Sequence, residues 1–178
     1  CLQSLVDQVV DFDFEIIIGD DASKDSTKEI IESFVMKYPA LIKPVFHSTN
    51  KGPAGNLLSI HNMARGEYVA HVDGDDFALP GKLAALASHL DKNPDCAIVW
   101  HRMKILNERG QFAIGMPLTP VSSILGKTKL YARDLALYYG LTGCHSGSMY
   151  RRSNKRIESV SEELIDYYLT LSMLKDGF

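Results

Sequence analysis

Residues 66–76 read GEYVAHVDGDD, and this stretch decides the fold. Glu67 to Val72 predicts a buried strand, rich in β-branched and aromatic residues and free of breakers. It runs into Asp73-Gly74-Asp75-Asp76, three carboxylates within four residues. Side chains two apart on an extended segment point the same way, so Asp73 and Asp75 are expected to converge, with Gly74 letting the backbone bend between them. Carboxylates that close repel unless a proton, a basic group or a cation sits among them. Hard oxygen ligands suit Mg²⁺ or Mn²⁺, which bind one or two protein carboxylates together with substrate phosphates. A lone D-x-D is equally a solvated acidic turn, so the neighbouring elements must decide.

Upstream, Phe14 to Gly19 (FEIIIG) is a continuous apolar run of strand length, as in a strand covered on both faces. It ends in Asp20-Asp21, followed by Ser26 or Asp25 as the cap of a helix that carries Ile30, Ile31, Phe34 and Val35 on one face. Ile42 to His47 predicts a second short strand and Asn50-Lys51-Gly52-Pro53 a turn, with Pro53 opening a helix to about Ala64. After the acidic stretch, Pro80 precedes a helix over 81–91 with Leu83, Leu86 and Leu90 facing inward. Strand and helix alternate with short loops, which predicts an α/β fold with a mostly parallel sheet and helices on both faces. Ligands bind such sheets at the carboxyl ends of the strands. Asp20, Asp21, Asp73, Asp75 and Asp76 all fall there, which favours a functional role over surface decoration.

The second half is less regular. Cys96 to Leu106 predicts a long strand, residues 107–110 a hairpin turn, 111–115 its return, and 116–128 a Pro- and Ser-containing loop. Residues 131–139 predict a helix, Gly147 to Arg151 a short strand, and 161–175 a last helix. Leu2, Leu5, Val6 and Val9 fall at helical spacing. The chain thus opens on a helix, without Met, and a preceding strand is expected to be missing.

The 178 residues fit one domain, and 46% hydrophobic with 23% charged residues is ordinary for a globular protein. A net charge of -3 argues against a nucleic-acid partner. Cys1, Cys96 and Cys144 form no C-x-x-C pair and point to reduced thiols in a cytoplasmic setting. No apolar run reaches transmembrane length, and no signal-peptide pattern opens the chain.

The segments FEIIIGDDASKDST, NKGPAGN and GEYVAHVDGDDFALPGKL together resemble the inverting, nucleotide-sugar-dependent glycosyltransferases of family 2, which have the GT-A fold. The resemblance implies one GT-A domain, with a nucleotide-sugar-binding half over 1–92 and a smaller, less regular acceptor-binding half over 93–178. It matches Asp20 and Asp21 to the acids that meet the nucleotide base, Asp73 to the ribose side of the D-x-D motif and its metal, and Asp75 to the metal bridging the diphosphate. Asp76 is the common third acid. Where the family often carries an Arg-Asn pair, Leu57 and Leu58 stand here, which offers Lys51 as a substitute phosphate contact. IDYYLTLSMLKDG resembles the segment holding the family's catalytic base, which implies Asp166 for that role, although Ile165 replaces the usual glutamate before it. His145 precedes a strand similar to one lining the acceptor side, where it is a candidate substrate contact.

The resemblance therefore implies a metal-dependent enzyme using Mn²⁺ or Mg²⁺, a nucleotide diphosphate sugar as donor, with UDP favoured, and a saccharide or lipid-linked acceptor in surface polysaccharide synthesis. Work in the cytoplasm, at the inner face of the cell membrane through peripheral association, goes with that expectation. A sugar-nucleotide nucleotidyltransferase and a catalytically degenerate nucleotide-sugar-binding module remain as alternatives. His71, inside the central strand, is expected in the core, as is Trp100.

Overall fold

The computed structural model describes residues 1–107, 110, 126, 129–131, 134 and 144–152. Helix α1 (Leu2–Val6) opens the chain and buries Leu2. It is followed by β1 (Ile16–Asp20), α2 (Thr27–Lys37), β2 (Ile42–Phe46), α3 (Gly52–His61), β3 (Tyr68–Ala70), α4 (Lys82–Lys92), β4 (Ile98–Trp100), a 3-10 turn (His145–Gly147) and β5 (Ser148–Arg151).

Strands β1 and β2 pair in parallel, Ile16 opposite Ile42 and Asp20 opposite Phe46. Pro44 lacks a backbone donor, which the edge position of β2 beside β1 tolerates. Leu2, Ile16, Ile31 and Ile42 form the core between α1, α2 and this sheet. Asp25 accepts the Thr27 N–H at 3.0 Å and so caps α2, while the Ser26 side chain makes no cap bond. Pro53 lies in the first turn of α3, as expected. That helix packs on β1, where the Asn56 amide donates to Gly19 O at 3.2 Å. The fit is close: a Cβ at Gly19 would stand 2.1 Å from Asn56 Oδ1.

The other strands form a second sheet in the order β3-β5-β4, and both of its pairings are antiparallel. The α/β class holds, with parallel pairing between β1 and β2 only among the described residues. Leu83, Leu86, Ala87 and Leu90 of α4 pack with Cys96 and Met149 against this sheet. Leu90 is wholly buried, a contribution of about 2–3 kcal/mol. Phe14 packs against both cores.

The long strand expected over Cys96 to Leu106 is only Ile98–Trp100, and the strand expected over Glu67 to Val72 is only Tyr68–Ala70. Both pair with the four-residue β5, and single backbone bonds continue past their ends, from the His71 N–H to Ser148 O at 3.4 Å and from the His101 N–H to Gly147 O at 3.0 Å. Leu106 makes an isolated bridge. Trp100 is half-buried in β4. Where the sequence predicts a hairpin turn over 107–110, the Gly110 N–H donates to Asn107 O at 2.9 Å. The return strand over 111–115, nearly all of the 116–128 loop, most of the 131–139 helix and the 161–175 helix lie outside the described residues.

Candidate active site

Asp20 ends β1 with its side chain buried, and its Oδ1 accepts the Ser23 N–H at 3.1 Å. The chain then turns through Ala22 in the left-handed region, at φ 60. Asp21 is half-buried, and its Oδ1 accepts the Lys51 backbone N–H at 2.7 Å. The Asn50 amide donates to Asp21 O at 3.3 Å and its Oδ1 accepts the Gly52 N–H at 3.0 Å, so the two loops are laced together. Lys51 therefore stands beside the acid pair through its backbone, with its side chain exposed.

The second acidic stretch is built differently. Residues 73–76 form a turn closed by the Asp76 N–H to Asp73 O at 3.0 Å, not an extended segment. Strand alternation thus does not bring Asp73 and Asp75 together, which corrects the expectation. Gly74 has no positive φ, and a Cβ there would meet nothing within 4 Å, so this turn does not require glycine. Asp75 is exposed and Asp76 half-buried.

The groups that gather with Asp73 are His71 and His145. His71 Nε2 donates to Asp73 Oδ1 at 3.0 Å, and the two imidazoles lie face to face, 3.6 Å apart and 8° from parallel. Ligand atoms of all three residues lie within 4.8 Å of one another. Ser146, buried in the 3-10 turn, accepts the Asp73 N–H and donates to Asp73 Oδ2, both at 2.8 Å. Beneath them, the Lys82 ammonium at the start of α4 donates to the Ser146 carbonyl and, at 3.3 Å, to the His71 carbonyl. Lys82 is only 8% exposed.

These contacts set the charges. The hydrogen bond from His71 holds the Asp73 carboxyl at about 2, helped by the His71 charge, the Ser146 hydroxyl and the His145 charge against the effect of burial. Burial brings Lys82 down to about 8, although Asp76 and Asp73 pull the other way. Next to the cluster, burial lowers His61 to about 4, with the His71 and His145 charges adding to it. Burial raises the Tyr150 pKa, and its hydroxyl shares a hydrogen bond with His61 Nδ1 at 2.6 Å. This bond joins α3 to β5, one from each sheet's layer.

His71 was expected in the core and is instead half-buried at the rim, in contact with Asp73. Its place two residues before Asp73, on the same strand face, was the available signal. Ser146, Lys82 and Asn56 were also not singled out; only contacts from distant elements mark them. His145 is brought to Asp73, whereas Asp166 lies outside the described residues.

The family model of glycosyl transferase family 2 matches residues 1–157. The chain belongs to this family. The putative glycosyltransferase EpsE of Bacillus subtilis is 30% identical over 172 residues, covering 93% of this chain and 58% of EpsE. The fold is that of the GT-A glycosyltransferases. S. aureus TarS 1-349, solved in complex with UDP, superposes with a TM-score of 0.67 at 24% identity, covering 96% of this chain and 48% of that one. The mannosyltransferase PcManGT of Pyrobaculum calidifontis, solved with GDP-Man and Mn²⁺, gives 0.65 at 17% identity, over 93% of this chain and 44% of that one. The chain thus spans roughly half the length of these relatives. No helix among the described residues is long and apolar enough to cross a membrane.

Proposed function

We propose that this chain is the donor-binding and catalytic region of an inverting glycosyltransferase, which moves one sugar from a nucleotide diphosphate sugar to a hydroxyl acceptor. The observation that carries the proposal is the site around Asp73, a carboxylate kept ionised by His71 and Ser146 at the exit of β3, with its side chain 48% exposed to a ligand. Family membership and the second acid pair, Asp20 and Asp21 at the end of β1, support it.

In this proposal residues 1–92 hold the donor and 93–178 the acceptor. Asp20 and Asp21 face the base of the nucleotide, UDP by preference, since the TarS structure carries UDP. Asp73 meets the ribose and, with Asp75, holds Mn²⁺ or Mg²⁺; an ionised, accessible carboxylate beside an exposed one fits such an ion. When bound, the ion stabilises the charge that grows on the departing diphosphate. The Lys51 ammonium adds a phosphate contact, and Asp76 and His145 touch substrate. Asp166 takes the proton from the attacking hydroxyl, the general base that such a displacement requires. The acceptor is a growing surface polysaccharide or a lipid-linked oligosaccharide, met at the cytoplasmic face of the membrane.

Thermal unfolding with UDP, GDP and dTDP, each with and without Mn²⁺, tests the donor site. Native-state binding at 100 times the dissociation constant adds about 2.7 kcal/mol. The expected result is a shift that needs both UDP and Mn²⁺ and disappears in Asp75→Asn; no shift with any pair counts against the proposal. Asp166→Asn is expected to abolish transfer while nucleotide still binds, and unchanged turnover removes Asp166 as the base.

A further inference from the structure

We infer that Lys82 is a positioning residue of the donor site. Its buried ammonium grips the Ser146 and His71 carbonyls, holds the 3-10 turn against the exit of β3, and so fixes the Asp73 carboxylate through the Ser146 hydroxyl. The inference rests on the function proposed above for what that carboxylate meets, but not for how it is held. Neither the acidic motif nor its neighbours in sequence point to this lysine.

The chain of contacts starts at the carboxylate. One hydroxyl, that of Ser146, accepts the Asp73 N–H and donates to Asp73 Oδ2, both at 2.8 Å. Backbone and side chain of the same residue are thereby fixed by one group, which limits how the carboxylate can turn. The hydroxyl can do this only while its own turn stays in place, and that turn is three residues long. Lys82 Nζ donates to the Ser146 carbonyl and, at 3.3 Å, to the His71 carbonyl. The ammonium therefore ties together the two segments that flank Asp73, one from β3 and one from the approach to β5.

Lys82 is itself held from behind. Helix α4 begins after Gly81, which has no side chain to cap it. Gln8, just past α1, supplies the cap from a distance: its Oε1 accepts the Leu83 N–H at 3.2 Å. Its Nε2 donates to Leu79 O at 3.0 Å, on the loop that leads from the acidic turn into α4. Gln8 is as buried as Lys82. The first turn of α4, and with it the lysine stem, is thus set by the N-terminal segment.

The chemistry of the choice supports placement over stability. Among the described residues both Lys82 bonds go to neutral carbonyls, while Asp76 and Asp73 act on its charge from a distance. A buried charge without a contacting counterion stabilises a fold less well than an apolar side chain of similar size. Outer hydrogen bonds of this kind commonly orient the groups that meet a ligand.

Lys82→Met keeps the stem and removes the ammonium. In the ¹⁵N-labelled variant the Asp73 amide is expected to exchange with solvent on the order of tenfold faster or more. The His47 amide, which donates to Asp20 O at 3.0 Å on the other rim, is expected to be unchanged. Unaltered exchange at Asp73, or equal acceleration at both amides, overturns the inference. A second measurement needs no substitution: couplings across hydrogen bonds from Lys82 Nζ to the Ser146 and His71 carbonyl carbons are expected by NMR, and their absence overturns it. Binding of UDP with Mn²⁺ is expected to weaken on the order of tenfold in Lys82→Met. Because Lys82 acts through Ser146, adding Lys82→Met to Ser146→Ala is expected to cost no further affinity; additive losses overturn the inference. A wild-type chain that binds no UDP with Mn²⁺ refutes the donor function, and amide exchange and the couplings still decide the role of Lys82.

Discussion

The turn after β1 and the turn after β3 each place acids at a strand end, but they are held in opposite ways. Asp20 and Asp21 bond to backbone N–H groups of surface loops, Ser23 three residues on and Lys51 thirty on. Asp73 bonds to side chains, His71 beside it and Ser146 seventy-three residues away, above a buried lysine. The first arrangement is a loop scaffold that leaves its acids as local hydrogen-bond acceptors. The second is a charge network assembled only when β5 docks against β3, in which the His71 hydrogen bond holds Asp73 low and burial brings Lys82 down. Long-range docking, more than local turn chemistry, creates the reactive part of this rim.

The sharpest way to break the comparison is at the fastening of β5. The Arg151 guanidinium donates to Leu90 O at 2.6 Å, Asn93 O at 3.4 Å and Cys96 O at 3.1 Å, and lies 5.2 Å from the Tyr68 ring. Arg151→Met leaves these carbonyls without their donor and is expected to cost about 3 kcal/mol in urea unfolding. Its Glu67 pair is largely exposed on the acid side and adds little. If the second rim depends on docking, Mn²⁺ binding weakens in the same variant; an unchanged metal affinity breaks the comparison.

Next in size is Gly19→Ala, on the first rim. The new methyl would meet Asn56 Oδ1 at 2.1 Å and Ile60 Cγ2 at 2.8 Å, so α3 must shift off β1, at a cost of about 2 kcal/mol. Made in an Asn56→Ala background, the substitution is expected to cost less, and a double-mutant cycle measures the difference. The two rims are separable if metal binding survives it.

A third test concerns the bond between them, and its effect is spread over a pH range. His61 titrates at about 4 in the folded chain against an ordinary 6.5, because it is buried against Tyr150. Between those values the unfolded chain binds more protons, so stability falls as pH drops from about 6.5 to about 4. The expected loss across that window is up to roughly 3 kcal/mol. In His61→Gln the slope over this window flattens; an unaltered slope means that another group carries it.

Much of the first rim was legible in the residues themselves. The run Phe14 to Gly19 and the run Ile42 to His47 differ from β1 and β2 by two residues at most, because a breaker or an acid pair ends each of them. Helix α4 is displaced by one residue from the expected 81–91, since Leu83, Leu86 and Leu90 mark its buried face. The second sheet was less legible. Beyond Trp100 the His101 N–H still reaches Gly147 O at 3.0 Å, but Gly147 belongs to the 3-10 turn, and the ladder ends there. His71 was hidden in a similar way: as a strand residue it belonged to the core, but it lies just past the end of β3, tied to β5 through its N–H to Ser148 O, with the imidazole at the rim.

The sequence by itself determined the alternation of strands and helices, the acids at two strand ends, and the family to which the chain belongs. Those follow from local periodicity, from breakers and from motifs spaced along one segment. Only the tertiary structure decided that Asp73 turns toward His71, His145 and Ser146, that Lys82 is buried beneath them, and that the second sheet runs antiparallel. The reason is that, His71 beside Asp73 apart, the deciding contacts join distant positions, Lys82 with Ser146 64 residues on and Asp73 with Ser146 73 residues on. No local pattern records such pairings, and burial is what makes them strong.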